Sequence, residues 1–370
     1  MRRAVNLTSN APDFNNIKKI LVIKFRHIGD VLLSVPTIRA LKDTFPGAEI
    51  SVLVNSGTED VLAGSPLIDE LIVYDRKLKQ MSLVARYFKE FLFLKKIRGK
   101  RFDMTVDLTG GDRAAVVSFV SGAKYRLVSD PGKKGFTGKR FLYTHLAEVD
   151  KTRHMALQNL DIVSQFGITT DNPDVDMFIP EDAESSVKTI FKQNGIMDGD
   201  TVVHVHPTSR WFFKCWKDEY MAEVLEWLID KGLVVIVTSA PDKTEKDRTA
   251  GIMSLVSSRI TPNRSRLVDL SGRTTIKELA AISAASSLFI GVDSAPMHIA
   301  AAVKTPVIAL FGPTWDNLWG PYGNMNTVIV KQLPCKPCKK GSCADIPLRE
   351  CMTAIKPDDV KEAVEKALKL

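Results

Sequence analysis

The stretch ILVIKFRHIGDVLLSVP, Ile20 to Pro36, decides the architecture. Its first four residues, Ile20-Leu21-Val22-Ile23, form a short run that is apolar on both faces, as a strand inside a parallel sheet must be. From Val31 the apolar residues recur at helical spacing, so a helix is expected from about Val31 to Phe45. Between the two lie Lys24, Arg26, His27, Gly29 and Asp30. A glycine there permits a tight turn and the close approach of another group. Asp30 has two readings: a cap for the helix that follows, or a carboxylate held at the end of a strand to take a proton.

The same rhythm runs outward from this stretch. Strands are expected at EISVLV (49–54), LIVYD (71–75) and FDMTVDL (102–108), with a long helical segment from about 79 to 98 and another helix after Asp112. Alternation of this kind gives a parallel sheet covered on both faces. At GITTDNPDVDMFIPEDAES (167–185) the pattern pauses in a segment rich in Pro, Asp and Thr, which reads as a linker. It restarts at TVVHVH (201–206), LVVIVTS (233–239), RLVDL (266–270), SLFIGVD (287–293) and PVIALFG (306–312), each followed by a helix or a turn. Two consecutive Rossmann-like units are therefore expected, 1–172 and 173–370. Ligands of such sheets bind at the carboxyl ends of the strands, so the site is expected in a cleft between the units.

Composition limits the possibilities. A chain of 370 residues can build two cores. No apolar run approaches the ~20 residues a membrane span needs, and the first residues lack the apolar core of a secretory signal. A cytoplasmic chain is the expectation. The net charge is +8, and residues 1–176 carry 27 Lys and Arg against 20 Asp and Glu. That excess in the first half points to an anionic partner there. Between Arg76 and Arg101 stand ten cations and one acid, Glu90, with Tyr87, Phe88, Phe91, Phe93 and Leu94 interleaved. Such a helix lies on an anionic membrane surface, or it is a solvated helix with its aromatics in the core. No nucleic-acid module is recognisable, so nucleic acid is not an expected partner.

Three turns after strands concentrate chemistry. Besides the Asp30 turn, HPTSRWFFKCW (206–216) offers hydroxyls from Thr208 and Ser209 and charge from Arg210 and Lys214, a set suited to a pyrophosphate. GVDSAPMHIAAA (291–302) places Asp293 at a strand end, Ser294 as the N-cap and Pro296 in the first turn of a helix. Its N–H groups and dipole favour an anion. His298, one turn into that helix, is either structural or a ligand contact. No strand is followed by G-x-G-x-x-G, and GKKGFTGKR (132–140) departs from the phosphate-binding loop at two positions. Cys335, Cys338, Cys343 and Cys351 have a spacing that permits a tetrathiolate metal site. The expectation is reduced thiols and no metal, because the unit has an adequate core without one.

In series, IKFRHIGDVLLSVPTIRALKDTFPGAEISVLV, HPTSRWFFKCW and FIGVDSAPMHIAAAVKTPVIALFGPT resemble the ADP-heptose:lipopolysaccharide heptosyltransferases of glycosyltransferase family 9. The likeness covers roughly residues 18–365 and is greatest to members that add the branch heptose of the inner core. It implies a GT-B fold with the acceptor in the first unit and the nucleotide sugar in the second. It further implies inverting transfer from ADP-L-glycero-D-manno-heptose to a lipopolysaccharide inner-core acceptor, with no cofactor and no metal. Carried over by motif, Asp30 is the general base and Lys214 the donor-binding lysine. Thr208, Ser209, Asp293, Ser294, Ala295 and His298 line the donor site, and either Asp242 or Glu245 holds the ribose. Arg26, His27, Lys133, Lys134, Lys139 and Arg140 are candidates for the acidic acceptor at the inner face of the inner membrane, where peripheral association is expected. The competing readings are a GT-B transferase or epimerase using another nucleotide sugar, and a non-catalytic membrane-associated binding protein. An epimerase needs carboxylate and His pairs but no polyanionic acceptor, which the basic first half does not match. A binding protein has no need to keep Asp30, Lys214 and Asp293.

Overall fold

The computed structural model describes residues 14–132, 134–257, 266–323, 325–335, 338 and 349–370. They contain two six-stranded sheets, parallel throughout. The first comprises β1 (Lys19–Lys24), β2 (Glu49–Asn55), β3 (Glu70–Tyr74), β4 (Met104–Asp107), β5 (Tyr125–Ser129) and β6 (His145–Ala147) in the order 3-2-1-4-5-6. The second comprises β7 (Val202–His206), β8 (Val234–Val237), β9 (Leu267–Asp269), β10 (Leu288–Val292), β11 (Val307–Phe311) and β12 (Thr327–Val330) in the order 12-11-10-7-8-9. Both orders are that of the Rossmann fold, and the strand order reverses beside β1 in one sheet and beside β7 in the other. The central strands are fully buried, with Ile20 to Ile23 and Leu288 to Ile290 at 0% exposure. They take the continuous apolar runs seen in the sequence and cover them with helices on both faces.

Four details differ from the sequence reading. The helix expected from Val31 to Phe45 is two helices, Ile28–Leu32 and Val35–Thr44. Pro36 has no N–H to continue the first helix and its ring clashes with the carbonyl four residues back. The Ser34 hydroxyl donates to the Val31 carbonyl at 2.6 Å across the break. The 167–185 stretch is not all linker: Glu181–Gln193 is a helix, and its Ser186 hydroxyl bonds Glu278 on the helix Ile276–Ala284. Each unit has six strands, rather than the four expected in the first and five in the second. Last, Asp30 does not cap a helix, because His27 holds the N-cap position and Asp30 lies inside the first turn.

The link between the sheets is pinned on both sides. Arg39 donates to the Asn172 and Asp174 carbonyls and pairs with Asp176. Lys277 of the second unit donates to the Ala63 carbonyl at 2.8 Å and to the Phe178 carbonyl at 2.6 Å. His154 Nδ1 accepts from the Ala156 N–H, so its Nε2 carries the proton that it gives to the Gly320 carbonyl at 2.9 Å.

Beneath the Asp30 turn lies an enclosed ammonium. Lys24 is 2% exposed and donates to the Leu108 carbonyl and to Asn159 Oδ1, while Asn159 Nδ2 donates to the Leu33 carbonyl at the helix break. One side chain thus ties β1, the end of β4 and the helix break together. Burial lowers the Lys24 pKa to about 8, with the negative charge of Asp30 the leading opposing influence. Lys24→Ala is expected to cost about 2–4 kcal/mol of stability, the sum of a cavity and two acceptors left unpaired. Lys24→Met, which keeps the stem, should cost less. Chemical denaturation checks both, and a loss under about 1 kcal/mol for the alanine variant would mean that the ammonium does not hold this network.

Candidate active site

The carboxyl ends of the two sheets face one cavity of about 1040 Å³. The turn after β1 supplies His27, Gly29 and Asp30; the turn after β7 supplies Ser209, Arg210 and Lys214; the turn after β10 supplies Asp293, Ser294, Ala295 and His298. Asp242 and Glu245, beyond β8, complete one wall. The three turns singled out in the sequence therefore converge, as the strand order requires.

The two units touch at Gly29. A methyl group built on Gly29 would lie 2.8 Å from Cδ2 of His298, so only a hydrogen fits between the helix Ile28–Leu32 and the helix Ala295–Ala302. The glycine that permits a tight turn also lets the second unit approach the base of Asp30. The Asp30 carboxylate is half-buried on the cavity wall, and among the described residues no group hydrogen-bonds to it.

Opposite, Lys214 Nζ lies 2.6 Å from Asp293 Oδ2, and the Thr314 hydroxyl donates to the same oxygen at 2.5 Å. Ser294 occupies the N-cap of Ala295–Ala302, but its hydroxyl bonds the Val292 carbonyl instead of capping. Pro296 has no N–H, and the cap leaves the remaining first-turn N–H groups uncovered by a side chain. His298 is buried, and its Nδ1 has no partner among the described residues. Burial drives its pKa down to about 4, which keeps the ring neutral.

The wall beyond β7 is a network of neutral groups. His204 bonds Ser283 and Thr238, and His206 bonds Thr238 from the other side. Burial pushes both histidines down to about 3. The Thr208 hydroxyl donates to Glu245 at 2.7 Å, and Glu245 is buried with its pKa raised chiefly by desolvation. Asp242 is exposed and spends one oxygen on the Thr244 and Glu245 N–H groups. The two carboxylates left open by the sequence thus have different surroundings: Asp242 holds the start of Lys243–Ser257, and Glu245 braces Thr208.

The basic residues of the first unit divide. His27 faces the main cavity; burial depresses its pKa, and the cations Arg210, Arg76 and Arg26 add to that. Arg26 and Lys134 line a second cavity of about 510 Å³ at the ends of β4 and β5. Lys139 is not available to a ligand: it is buried, donating to the Gly110 carbonyl at 2.7 Å and paired with Asp112. Arg140 is exposed and lies 3.6 Å from Asp130. Lys133 falls outside the described residues. Arg76 was not singled out in the sequence, yet it lines the main cavity from the first unit beside Thr58 and Asp60. Its signal was positional, since it directly follows β3. Among the described residues no group of three His, Cys, Asp or Glu side chains converges as a metal site; Cys343 lies outside them.

Two Rossmann sheets whose carboxyl ends face one cleft, with a carboxylate on one side and a lysine and a helix terminus on the other, define a GT-B protein. The model of glycosyltransferase family 9 (heptosyltransferase) matches residues 91–347. Lipopolysaccharide heptosyltransferase 3 of Escherichia coli is 32% identical over 300 residues, 81% of this chain and 85% of that protein. A glycosyl transferase family 9 structure from Veillonella parvula superposes with a TM-score of 0.80 at 23% identity, covering 97% of this chain and 99% of its own. The E. coli heptosyltransferase WaaC, solved with ADP, gives 0.73 at 17% identity, covering 94% and 99%. The chain belongs to glycosyltransferase family 9, the heptosyltransferases, and is a glycosyltransferase.

The Gly29 contact yields a stability test. Gly29→Ala should cost about 1–3 kcal/mol through overpacking against His298. In a His298→Ala background the same substitution should cost at least about 1 kcal/mol less, the coupling expected of residues in contact. Equal costs in the two backgrounds, measured by denaturant unfolding, would mean that another neighbour excludes the methyl.

Proposed function

We propose that this protein transfers heptose from ADP-L-glycero-D-manno-heptose to the lipopolysaccharide inner core, adding the branch heptose, with inversion at the anomeric carbon. The single observation that carries the reading is the placing of Asp30 and the Lys214–Ser294 side on opposite walls of one cleft. Family membership and the 32% identity to a lipopolysaccharide heptosyltransferase 3 support the sugar and the acceptor class. The ADP in the WaaC structure supports the nucleotide.

In this reading the acceptor hydroxyl enters from the first unit and gives its proton to Asp30 as its oxygen attacks the anomeric carbon. No group of the described residues competes for that carboxylate. The ADP diphosphate leaves toward Lys214 and the first-turn N–H groups after Ser294, which neutralise its charge. Lys214 meanwhile exchanges its bond to Asp293 for one to phosphate, and Thr314 stays on Asp293. Ser209 and Ala295 line the phosphate path, and neutral His298 packs beside it. Thr208, a donor-site candidate from the sequence, is buried behind that wall with its hydroxyl on Glu245, so it braces the wall and does not line it. Glu245 or Asp242 holds the ribose; Glu245 is the better placed, since Asp242 already caps a helix. Positive charge comes from the protein itself, so the step as written calls for no resident metal. His27 and Arg76 face the acceptor's acidic groups at the cleft, and Arg26 and Lys134 face those that extend into the second cavity. Arg140 remains a candidate beside Asp130, and Lys133, outside the described residues, remains a candidate from the sequence. The units divide near 172/173, with the acceptor in 1–172 and the donor in 173–370. The acceptor is borne by a lipid, and the enzyme works as a peripheral protein at the cytoplasmic face of the inner membrane, against its anionic surface.

Mass spectrometry of core oligosaccharide from cells with and without the gene tests the reaction: one heptose should be missing without it, and an unchanged core would overturn the reading. Asp30→Asn should retain the fold, because the carboxylate makes no hydrogen bond within the described residues. It should cut kcat by about 10²-fold or more, the scale of a lost general base. Near-normal kcat in a variant whose unfolding is unchanged would remove Asp30 from proton transfer.

A further inference from the structure

The helix Leu83–Gly99 is apolar on two opposite sides. One side is accounted for: Phe93, Leu94 and Ile97 pack into the core beside β3 and the helix Asp112–Ser121. The other faces solvent. Val84 is 82% exposed, Tyr87 69%, Phe88 61% and Phe91 62%. These positions recur at three and four residues, so they form one stripe along the helix. Neighbouring elements add to it: Asp112–Ser121, packed beside the helix, exposes Val116 and Phe119, and the short turn Lys139–Leu142, packed beside that, exposes Phe141 at 85%. Large apolar side chains exposed together on neighbouring elements mark a contact with something else.

The charge around the stripe selects the partner. Lys89, Lys95 and Lys96 are exposed on the same helix. The one acid of the segment, Glu90, is already used by Tyr74 and Arg113. A helix with large apolar residues on one side and lysines beside them suits the boundary between headgroups and acyl chains of an anionic bilayer. A second copy of this chain would bring the same lysines against each other. The segment leading into the helix reaches the main cleft, since Arg76, seven residues before Leu83, lines it.

We propose that Leu83–Gly99, with Phe119 and Phe141 at its flank, is the face on which the protein docks to an anionic bilayer, with Tyr87, Phe88 and Phe91 entering the lipid. This rests on the reading of a membrane-borne acceptor, and it specifies the surface that meets the membrane and the orientation in which the cleft reaches a headgroup. Flotation of the full chain with vesicles of phosphatidylcholine, with and without phosphatidylglycerol, tests it. Wild type should bind the anionic vesicles and lose binding with salt. Tyr87→Ser/Phe88→Ser/Phe91→Ser should weaken that binding about tenfold or more. Lys95→Glu/Lys96→Glu should weaken it less, and only on anionic vesicles. Both variants alter exposed side chains, so thermal unfolding and kcat on a delipidated acceptor should match wild type. Wild-type affinity in the aromatic variant, or equal binding to neutral and anionic vesicles, would overturn the proposal. So would a wild-type dimer in light scattering that the aromatic variant dissociates. If heptose transfer fails while the vesicle results hold, the docking face stands and the catalytic reading falls.

Discussion

Everything in the cleft depends on one close approach, the His298 ring against the Cα of Gly29. In the proposed reaction each sheet alone would present half a site: the first offers the Asp30 carboxylate, and the second offers Lys214, Arg210 and the first-turn N–H groups after Ser294. A side chain at position 29 would force the His298 ring, or the helix that carries it, away from the Asp30 turn. Catalytic groups work only within fractions of an ångström of their productive positions. The cross-links elsewhere keep this approach in place: His154 on Gly320, Lys277 on Ala63 and Phe178, and Arg39 on the connecting segment. They fix the angle between the sheets, and Gly29 fixes their separation.

The electrostatics follow from burial. In the second unit, desolvation holds His204, His206 and His298 neutral, so none of them adds charge to the cleft. Lys214 and Arg210 are the cations of that wall, and Asp293 holds Lys214 in place. That pair is largely buried, so removing Lys214 without replacement would leave the Asp293 charge poorly compensated. In the proposed reaction a diphosphate offsets that cost by offering Lys214 more negative charge than one carboxylate does, while Thr314 stays on Asp293. In the first unit the buried Lys24 serves from below. Its charge lies under Asp30, while its hydrogen bonds go to the Leu108 carbonyl and Asn159. The carboxylate is thus held near a cation without being bound by it, and its oxygens stay open to the cleft.

The sequence made the central strands and the three turns legible for one physical reason. Strands buried on both faces must be continuously apolar, and the polar residues that interrupt them then mark the strand ends, where ligands bind. β5, β6 and β12 were missed because strands toward the sheet edge are short and mixed: Tyr125–Ser129 contains an Arg, His145–Ala147 has three residues, and Thr327–Val330 is half-exposed. The helix Glu181–Gln193 was hidden by the Pro and Asp residues that surround it, although its acidic first turn is a start signal. Among candidate site residues, the turns after β1, β7 and β10 gave Asp30, Lys214 and Asp293. Charge alone failed for Lys139, which looks like its neighbours in sequence but is buried against Gly110 and Asp112. It also failed to find Arg76, whose importance comes from position and not from local composition.

The 76–101 segment separates the two kinds of information most sharply. Its composition suits a solvated helix with aromatics in the core and equally suits a membrane-facing one, because composition does not say which side of a helix is covered. Packing decides it. The sheet beside β3 is wide enough to cover only one stripe, and Phe93, Leu94 and Ile97 take that place. Tyr87, Phe88 and Phe91 then lie on the far side, beyond the reach of any core. Had they been core residues out of place, the fold would have lost their burial, on the order of 2 kcal/mol each, with nothing in return. Stability is too small a margin for several such losses to persist on one helix without a use. Under the proposed docking, the exposed stripe is surface kept apolar for a second solvent, with the lysines beside it setting which solvent that is.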